Sequence, residues 1–578
     1  MSILSDPIDF NIFKKFFIAH KSHDLPDVSI VYPCLNKQRS IDQTAPHSLY
    51  YIYSALKSLG IPVNIKFWDI NTEFPPLSKI TYIHPMFATI EKVLKSLKND
   101  VSIKKESSII CLGNSDQHQH EMCIGGLREF DIATWILSKH NQIDFILTDR
   151  NHEFSIAQMI LNVIQNKNIF CELGCCAYRA GDSININQHH KYFKIDTLPK
   201  LSLPKNYPEV VRIRSSVGCR AVCTYCIESS SNNCKSMHWM GLPPKRFIDE
   251  MVHIKKTFHR NFFNIVDSSF EDSENKKNER IHKILSHLIN CNESFSLKIH
   301  LRTEMINTID LNILKKSGVD VIITGIESGA QEELKYFNKI ASVEVSKKSF
   351  LKLSECHLFF VVLGHIMFTP LTTKEYLFDK IKFINSIDRS WDFMSLTNWL
   401  LVYWGSKIHH TIKEKNLVIE ESPVKYVKYK FCDKGVEKIA IVMDKIKKIC
   451  PYIMSMHKQF YDTGNILSRF QNPANAHLKT MENDLIYLKT IYQEQQQKVS
   501  SIYDTVMLEL LDMCDHCSID KLLNHAHKKM EPVESMNHDM YQNMKTFSSA
   551  INKNKMDNNM IFMDTWFSNV NTLGVEAA

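Results

Sequence analysis

Apolar runs and helical spacings alternate along the first third of the chain. Residues 28–35, "VSIVYPCL", form an apolar run typical of a buried strand, and apolar positions recur at helical spacing over 46–60. Further strands are predicted at 63–71, 108–113 and 144–149. Because strands that alternate with helices are typical of a parallel, doubly wound sheet, residues 1–205 are predicted to be a Rossmann-like domain with an open parallel sheet.

The alternation restarts after a proline-rich segment at 196–210, which is predicted to be a linker. Between 206 and 420 about six predicted strands each precede a helical pattern. The strands are predicted at 210–217, 262–268, 295–302, 319–327, 359–368 and within 393–403. Such a series is typical of a partial (β/α)6 barrel of the TIM type, whose reactive groups lie at the carboxyl ends of the strands.

The last part of the chain, 421–578, is predicted to be a helical region. It is rich in Lys, Gln, Glu, Met and Leu, and strand patterns become scarce. Such a region is expected to pack over the barrel mouth, with its methionine-rich faces in the core. The sequence therefore predicts an α/β protein of three domains.

Composition narrows the class of protein. With 44% hydrophobic and 23% charged residues, the 578-residue chain lies near the averages of globular proteins. It has no apolar run of about 18 residues, so membrane insertion is not expected. The net charge of +7 comes from interspersed residues, so nucleic-acid binding is not indicated. The 16 irregularly spaced cysteines, without a recognisable signal peptide, predict reduced thiols and a cytoplasmic location.

Three cysteines directly follow the predicted strand at 210–217. Cys219, Cys223 and Cys226 have the spacing C-x3-C-x2-C. A structural zinc ion normally takes four protein ligands, whereas a cubane iron-sulfur cluster can be held by three thiolates with one iron left open. The alternatives are a zinc site with a distant fourth ligand such as His238, or three unrelated core thiols.

The cysteine spacing and its context resemble the signature of radical S-adenosylmethionine enzymes. Tyr225 precedes the last cysteine, and downstream segments match the family's order of motifs. These segments are "FNIVDSSF" (263–270), the "GIESG"-containing run 300–339, "GHIMFTPLTTKEYL" (364–377) and "LLVYWGSKIHHTI" (400–412). The resemblance implies a [4Fe-4S] cluster on the three cysteines, S-adenosylmethionine on the open iron, and release of a 5′-deoxyadenosyl radical.

The same resemblance implies a set of cofactor contacts. Glu327 would accept hydrogen bonds from the ribose hydroxyls or the methionine ammonium group, and Arg302 would face the methionine carboxylate. The alternative for Glu327 is a solvated strand-end carboxylate, and the alternative for Arg302 is a structural ion pair. The predicted cofactor-binding residues are Tyr225, Asp267, Ser268, Arg302, Gly325, Glu327 and Ser328. The family's common glycine pair at the second strand is absent here.

The N-terminal pattern resembles the class of radical S-adenosylmethionine enzymes whose first domain binds cobalamin. The resemblance implies cobalamin as a further cofactor, and the alternative is a domain that keeps this fold without cobalamin. Residues 116–121 imitate a D-x-H-x-x-G cobalt motif, but Glu121 replaces the glycine. His118 is therefore not expected to bind cobalt.

The function predicted from this class is methyl transfer to an unreactive carbon. One S-adenosylmethionine would supply the methyl group and another the radical. The substrate would be a specialised metabolite or a peptide, and a reductase or flavodoxin-type protein would supply electrons. The alternatives are a rearrangement or cyclisation enzyme without cobalamin, and a non-catalytic metal-holding interaction protein. Cys432, Cys450, Cys514 and Cys517 are expected to be ordinary thiols, with an auxiliary cluster as the alternative.

Overall fold

The computed structural model describes most of the 578-residue chain. The described residues are 7–20, 25–34, 47–69, 71–83, 87–99, 109–112, 129–148, 152–170, 172–188, 191–204, 207, 210–226, 239–271, 279–470, 472 and 482–553. The chain divides into two compact units. The first unit comprises 1–287, 402–411 and 420–427, and the second comprises 288–401, 412–419 and 428–578.

The first unit begins with a seven-stranded sheet. Its strands are β1 (Val28–Cys34), β2 (Val63–Asp69), β3 (Ile80–Ile83), β4 (Ile109–Leu112), β5 (Phe145–Leu147), β6 (Cys176–Ala180) and β7 (Ser183–Asn187). Their order is β2-β1-β3-β4-β5-β6-β7. Strands β1 to β5 are parallel, as predicted, and the hairpin β6–β7 continues the sheet in antiparallel pairing, which the sequence pattern did not predict.

Helices surround this sheet. They are α1 (Phe10–His20), α2 (His47–Ser58), α3 (Phe87–Asn99), α4 (Glu129–Lys139) and α5 (His152–Ile164). Consecutive residues of β1, Ile30, Val31 and Tyr32, are fully buried although they point to opposite faces. A strand buried on both faces is the mark of a doubly wound sheet, so the predicted Rossmann-like architecture is confirmed.

After 205 the first unit contains the first strands of the predicted barrel. Its elements are β8 (Val210–Ile213), β9 (Ser216–Val217), β10 (Met240–Gly241), α6 (Pro244–Phe258), β11 (Phe262–Ile265) and the start of α7 (Glu279–Asn290). Strands β8 and β11 are parallel, whereas β9 and β10 form a short antiparallel pair. The segment between β9 and β10 contains the three cysteines.

The second unit continues the β-α alternation. Its elements are β12 (Ser296–Arg302), α8 (Thr303–Ile306), α9 (Leu311–Lys316), β13 (Val319–Glu327), α10 (Gln331–Tyr336), α11 (Val343–Glu355), β14 (Phe360–His365) and α12 (Lys374–Asn385). Strands β12, β13 and β14 are parallel neighbours. Side-chain caps from Asp310, Ser342 and Thr373 fix the starts of α9, α11 and α12.

The strand predicted within 393–403 is confirmed only as one parallel bridge, from Phe368 to Trp399. Residues Phe393–Thr397 form helix α13. Asp392 caps this helix by accepting a hydrogen bond from the Ser395 amide. The cap favours a helix, whereas the buried positions Phe393 and Leu396 suit a helix as well as a strand. The apolar run alone was therefore ambiguous.

The remaining elements are mostly helical, as predicted. They are α14 (Lys407–Glu414), β15 (Val418–Glu420), β16 (Lys428–Tyr429), α15 (Lys434–Ile449), α16 (Pro451–Phe470), α17 (Glu482–Met513), α18 (Ile519–Met530) and α19 (Pro532–Lys553). Among the described residues, no helix is both long and apolar enough to cross a membrane.

The C-terminal region contacts both ends of the strands in the second unit. Beyond the carboxyl end of β14, the Cys432 amide donates to the Pro370 carbonyl at 2.9 Å, and Asp433 accepts from the Lys374 amide at 3.1 Å. At the amino ends of the strands, the ring of Tyr461 on α16 lies 5.2 Å from that of Phe360, the first residue of β14. Asn472 donates to the carbonyls of Phe295 and Gly318, which precede β12 and β13, at 3.0 and 3.1 Å. The pattern of apolar residues shows that a helix is buried, but it does not show which end of a barrel the helix covers.

Candidate active site

The three cysteines of the motif lie on one loop directly after β9. Gly218 begins the loop with φ +87°, a left-handed conformation that favours glycine. Cys223 is buried, whereas Cys219 and Cys226 are half-buried, and none of the three is part of a disulfide. The amide of Cys226 donates to the carbonyl of Cys223 at 3.2 Å, and the Ala221 amide points to the sulfur of Cys219 at 3.4 Å.

The loop offers three thiols, a donor set that suits a cubane cluster with one open iron. Each thiolate of such a cluster binds a different iron, so the sulfurs need not converge on one point. Within the described parts of the chain, no three Cys, His, Asp or Glu side chains are close enough to hold a single metal ion. His238, the alternative zinc ligand, lies outside the described residues.

The loop contacts another segment of the first unit between its second and third cysteines. The Ile408 amide, in the first turn of α14, donates to the Thr224 carbonyl at 3.3 Å. Tyr225, the next residue, is half-buried. The segment 402–411 therefore supports the loop at the position where the sequence predicted a cofactor contact.

Asp267 and Ser268 follow strand β11 in the first unit. Asp267 is buried, and its carboxylate accepts hydrogen bonds from the amides of Ser215 and Ser216 at 2.7 and 2.9 Å. Burial raises the pKa of Asp267, and the Arg280 guanidinium opposes this shift. Ser268 is half-buried. The structure thus directs the Asp267 carboxylate toward the strand that leads into the cysteine loop.

Arg302 ends strand β12 in the second unit. Its side chain is 20% exposed, and its Nε lies 3.7 Å from the carboxylate of Glu304. This contact with Glu304 is a long ion pair, and Arg302 lies at the carboxyl end of the strand. Arg302 is in register with Gly325 on the neighbouring strand β13.

Glu327 ends strand β13 with strained backbone geometry. Its φ is +72°, and the pairing with β14 is irregular between Gly325 and Glu327. The Lys339 ammonium lies 3.6 Å from the Glu327 carboxylate and donates to the Gly325 carbonyl at 3.0 Å. A side chain at Gly325 would collide with the Glu327 carboxylate. Strain of this kind is often found at functional sites, because the surrounding structure must maintain it.

Ser328 is fully buried and holds the turn after β13. Its hydroxyl donates to Glu333 at 2.6 Å and accepts from the Ala330 amide at 3.1 Å. Glu333 forms a buried ion pair with Lys380 of α12. Burial lowers the pKa of Lys380. Ser328 therefore stabilises the turn after β13 through its hydrogen bonds to Glu333 and Ala330.

The structure assembles the predicted residues in two groups. In the first unit, the three cysteines and Tyr225 share one loop, and Asp267 contacts the residues that enter it. In the second unit, Arg302, Gly325, Glu327 and Ser328 lie at the carboxyl ends of adjacent strands β12 and β13.

Sequence analysis missed several residues around these groups. Lys339, Glu333 and Lys380 surround the turn after β13, and Arg280 contacts the entrance of the cysteine loop. Lys339 belongs to the "NK" end of the run quoted above, which was an available signal. Arg280 and Lys380 carried no signal, because their importance comes from their burial in the folded chain.

His365 is a further buried polar residue of the second unit. Its Nδ1 donates to the Ser395 carbonyl at 2.9 Å, whereas its Nε2 has no hydrogen-bond partner within the described residues. Burial lowers its pKa to about 4, so the ring is neutral near pH 7. His365 is in register with Glu327 on the neighbouring strand β13, and its Nδ1 contact is with Ser395 of α13.

Two other predicted features concern metal ligands. His118 and the rest of 116–121 lie outside the described residues, so the cobalt prediction for His118 stays a prediction. The four C-terminal cysteines lie among the described residues, and whether they are ordinary thiols or bind an auxiliary cluster stays a prediction. The thiol of Cys514 points to the Leu511 carbonyl within its own helix at 3.2 Å, as expected for an ordinary helix thiol.

The family model of the radical SAM superfamily matches residues 213–383. This segment runs from the end of β8 through most of α12 and includes the cysteine loop and the turn after β13. The chain therefore carries a radical S-adenosylmethionine domain, as the sequence predicted. Domains of this class use a [4Fe-4S] cluster and S-adenosylmethionine, which agrees with the three loop thiols and the strand-end residues described above.

The fold is similar to solved structures of cobalamin-dependent radical S-adenosylmethionine enzymes. OxsB with aqua-cobalamin bound has a TM-score of 0.61 and 14% identity, with 95% of this chain and 85% of that chain covered. TsrM, a radical S-adenosylmethionine methyltransferase from Kitasatospora setae with cobalamin and a [4Fe-4S] cluster bound, has a TM-score of 0.55 and 10% identity. The latter match covers 76% of this chain and 96% of TsrM.

A curated relative is also similar over part of the chain. The anaerobic magnesium-protoporphyrin IX monomethyl ester cyclase of Synechocystis sp. is 23% identical over 228 residues. The match covers 37% of this chain and 43% of the cyclase, so the chain spans less than half the length of this relative.

Proposed function

We propose that this radical S-adenosylmethionine enzyme is a cobalamin-dependent methyltransferase that acts on an unreactive carbon of a specialised metabolite or a peptide. The carrying observation is the combination of a three-thiol loop at a strand end with a doubly wound N-terminal sheet in one chain. When bound, the cluster with S-adenosylmethionine supplies a 5′-deoxyadenosyl radical.

The order of the N-terminal strands supports a second cofactor. Strand β1 lies between β2 and β3, so the connections change direction between β1 and β3. In open α/β sheets, ligands bind at the carboxyl ends of the strands next to such a switch point. We therefore place cobalamin at the carboxyl ends of β1 and β3, without a histidine ligand. Solved structures with a similar fold contain bound cobalamin, which supports cobalamin as the second cofactor.

We assign a binding role to each of the two groups of residues within its own unit. Cys219, Cys223 and Cys226 hold the cluster and leave one iron open. Arg302 and Glu327 offer a cation and a carboxylate at neighbouring strand ends, which suit the carboxylate and ammonium groups of a methionine moiety. The contact of Lys339 keeps the Glu327 carboxylate in place. Tyr225, Ser268 and Gly325 complete the proposed contacts.

A second function is a cyclisation or rearrangement without cobalamin. The observation that favours it is the sequence match to a cyclase. In that case the N-terminal sheet would keep its fold and shape the substrate site only. We propose for either function a reductase or flavodoxin-type electron donor and a reaction in the cytoplasm.

The decisive experiment is anaerobic reconstitution with iron and sulfide, followed by measurement of 5′-deoxyadenosine. The wild-type chain should bind four irons and cleave S-adenosylmethionine. The variant with Cys219, Cys223 and Cys226 all changed to Ala should lose cluster absorbance and cleavage. A matched variant with Cys291, Cys356 and Cys432 changed to Ala should keep both, since these thiols lie outside the loop. Stoichiometric zinc, with no cluster obtainable, would contradict the proposal.

A further inference from the structure

The two ends of the cysteine loop meet at a narrow neck. Ser216–Val217 on the entering side pair with Met240–Gly241 on the leaving side. The Leu242 amide extends this pairing by donating to the Ser215 carbonyl at 2.8 Å. The neck therefore consists of short backbone pairing, which by itself is weak compared with a strand of ordinary length.

A buried arginine bridges both sides of this neck. Arg280 donates from Nη2 to the carbonyl and the hydroxyl of Ser215 at 2.6 and 2.9 Å, and from Nε to the Leu242 carbonyl at 3.3 Å. Its guanidinium also lies 5.3 Å from the Trp239 ring. A side chain at Gly241 would come within 2.7 Å of Arg280 Nε. Glycine at this position therefore makes room for the arginine.

A buried carboxylate completes the arrangement from the other direction. Asp267 accepts from the amides of Ser215 and Ser216 and from the Ser215 hydroxyl. The Ser215 hydroxyl donates to Asp267 and accepts from Arg280, so it links the two charged groups. Asp267 is 1% exposed and Arg280 is 9% exposed. Charged groups buried to this degree are retained only with such complete hydrogen bonding.

We propose that Asp267, Ser215 and Arg280 form a clasp that fixes the neck of the cysteine loop and thereby sets the geometry of its three thiols. Asp267 and Arg280 are positioning residues that act through the loop. The inference rests on the proposed function, because it assumes that the loop holds the cluster. It changes the role predicted for Asp267, whose carboxylate is directed at the backbone of the neck.

The effect on the reaction follows from distance along the chain. Cys219 is three residues from Ser216, so a shift of the Ser216 amide is passed almost directly to the first thiol. A misplacement of about 1 Å in a reactive group is enough to lower a rate roughly a hundredfold. Weakening the clasp should therefore alter the cluster environment before S-adenosylmethionine is added.

The test compares three clasp variants with a matched control. The variants are Ser215→Ala, Asp267→Asn and Arg280→Lys. The control is Arg246→Lys, which disturbs another ion pair of the same unit, 2.5 Å from Arg246 to the buried Glu250, that includes no residue of the clasp. Thermal unfolding of all four variants measures the general loss of stability.

The first readout is the electron paramagnetic resonance spectrum of the reduced, reconstituted protein without S-adenosylmethionine. We expect a shifted or heterogeneous cluster signal in the clasp variants, and at least a tenfold loss of 5′-deoxyadenosine formation per cluster. The control should keep the wild-type spectrum. An unchanged spectrum with a raised dissociation constant for S-adenosylmethionine in Asp267→Asn would mean direct contact and would overturn the clasp. The clasp would also be overturned if the variants lost thermal stability but kept the wild-type spectrum and the wild-type rate of 5′-deoxyadenosine formation.

The second readout needs no cofactor. Alkylation of the cluster-free chain, followed by mass spectrometry, measures the accessibility of Cys223, which is 8% exposed. The clasp variants should alkylate Cys223 at least fivefold faster than the wild-type chain, with the fully buried Cys450 as internal reference. Equal Cys223 rates would contradict the clasp. This readout stays interpretable if the wild-type chain fails to bind a cluster, which would instead contradict the proposed function.

Discussion

Glu327 shows how one residue carries both strain and chemistry. A left-handed conformation costs a residue other than glycine roughly 1–2 kcal/mol, yet Glu327 adopts φ +72° at the end of β13. The contact of its carboxylate with Lys339 contributes to holding this geometry. If the carboxylate had no function, glycine would be the more stable residue at this position.

Replacing Glu327 by Gly or by Ala should separate strain from binding. Both changes remove an acceptor for a charged donor, which is worth about 1.5–3 kcal/mol, so the dissociation constant for S-adenosylmethionine should rise about ten- to hundredfold. The glycine variant should unfold at a higher temperature than the alanine variant, since glycine alone adopts the positive φ without strain. Both should retain four irons. Binding as tight as in the wild-type chain would leave Glu327 a structural residue.

At the scale of elements, a single buried ion pair joins the turn after β13 to two helices. Glu333 of α10 contacts Lys380 of α12 and also accepts from Thr369 and Thr372 at 2.9 and 3.0 Å. Lys380 donates to the Met367 carbonyl at 3.0 Å. Because Ser328 donates to the same glutamate, the position of the "GIESG" turn depends on this network.

Lys380→Met should destabilise the second unit by roughly 3–5 kcal/mol, because it leaves Glu333 buried without its charge partner. The double variant Lys380→Met with Glu333→Gln should recover much of this loss, since it removes both charges. The midpoint of urea unfolding gives the measurement. The exposed pair Lys335–Glu332 is the control, and Lys335→Met should cost less than about 1 kcal/mol. Equal midpoints for the single and double variants would show that the loss arises from packing instead.

At the scale of the whole molecule, the question is whether both sheets bind cofactors. The parallel order of the N-terminal strands provides a switch point, where open α/β sheets bind ligands. This predicts a cobalamin held by shape and hydrogen bonds.

Purification after growth with abundant cobalamin, followed by anaerobic cobalt measurement, checks this prediction. We expect about one cobalt per chain in the wild-type protein and in His118→Ala. Loss of cobalt in His118→Ala, with cobalt retained in the wild-type protein, would identify His118 as a cobalt ligand. No cobalt in either, with 5′-deoxyadenosine still formed, would remove methyl transfer through cobalamin and favour the cyclisation alternative.

Much of the fold was predictable because it depends on local patterns. The apolar runs that predicted β1, β13 and the helices behind them are continuous in sequence, and their periods distinguish strand from helix. The range predicted for the last strand, 393–403, includes helix α13 because a short apolar run fits either period. The β6–β7 hairpin was missed because its strands are only half-buried and carry a weak apolar pattern.

The sequence alone determined the cysteine loop, the strand-end residues and the class of chemistry, because the spacing of thiols along a loop is itself a chemical constraint. Only the tertiary structure decided which polar groups are buried together. Asp267 faces the backbone of the neck, Arg280 bridges it, and Lys380 pairs with Glu333, although each pair is separated by many residues. Such partners are selected by burial, since a charge removed from water must find its hydrogen bonds wherever the fold provides them.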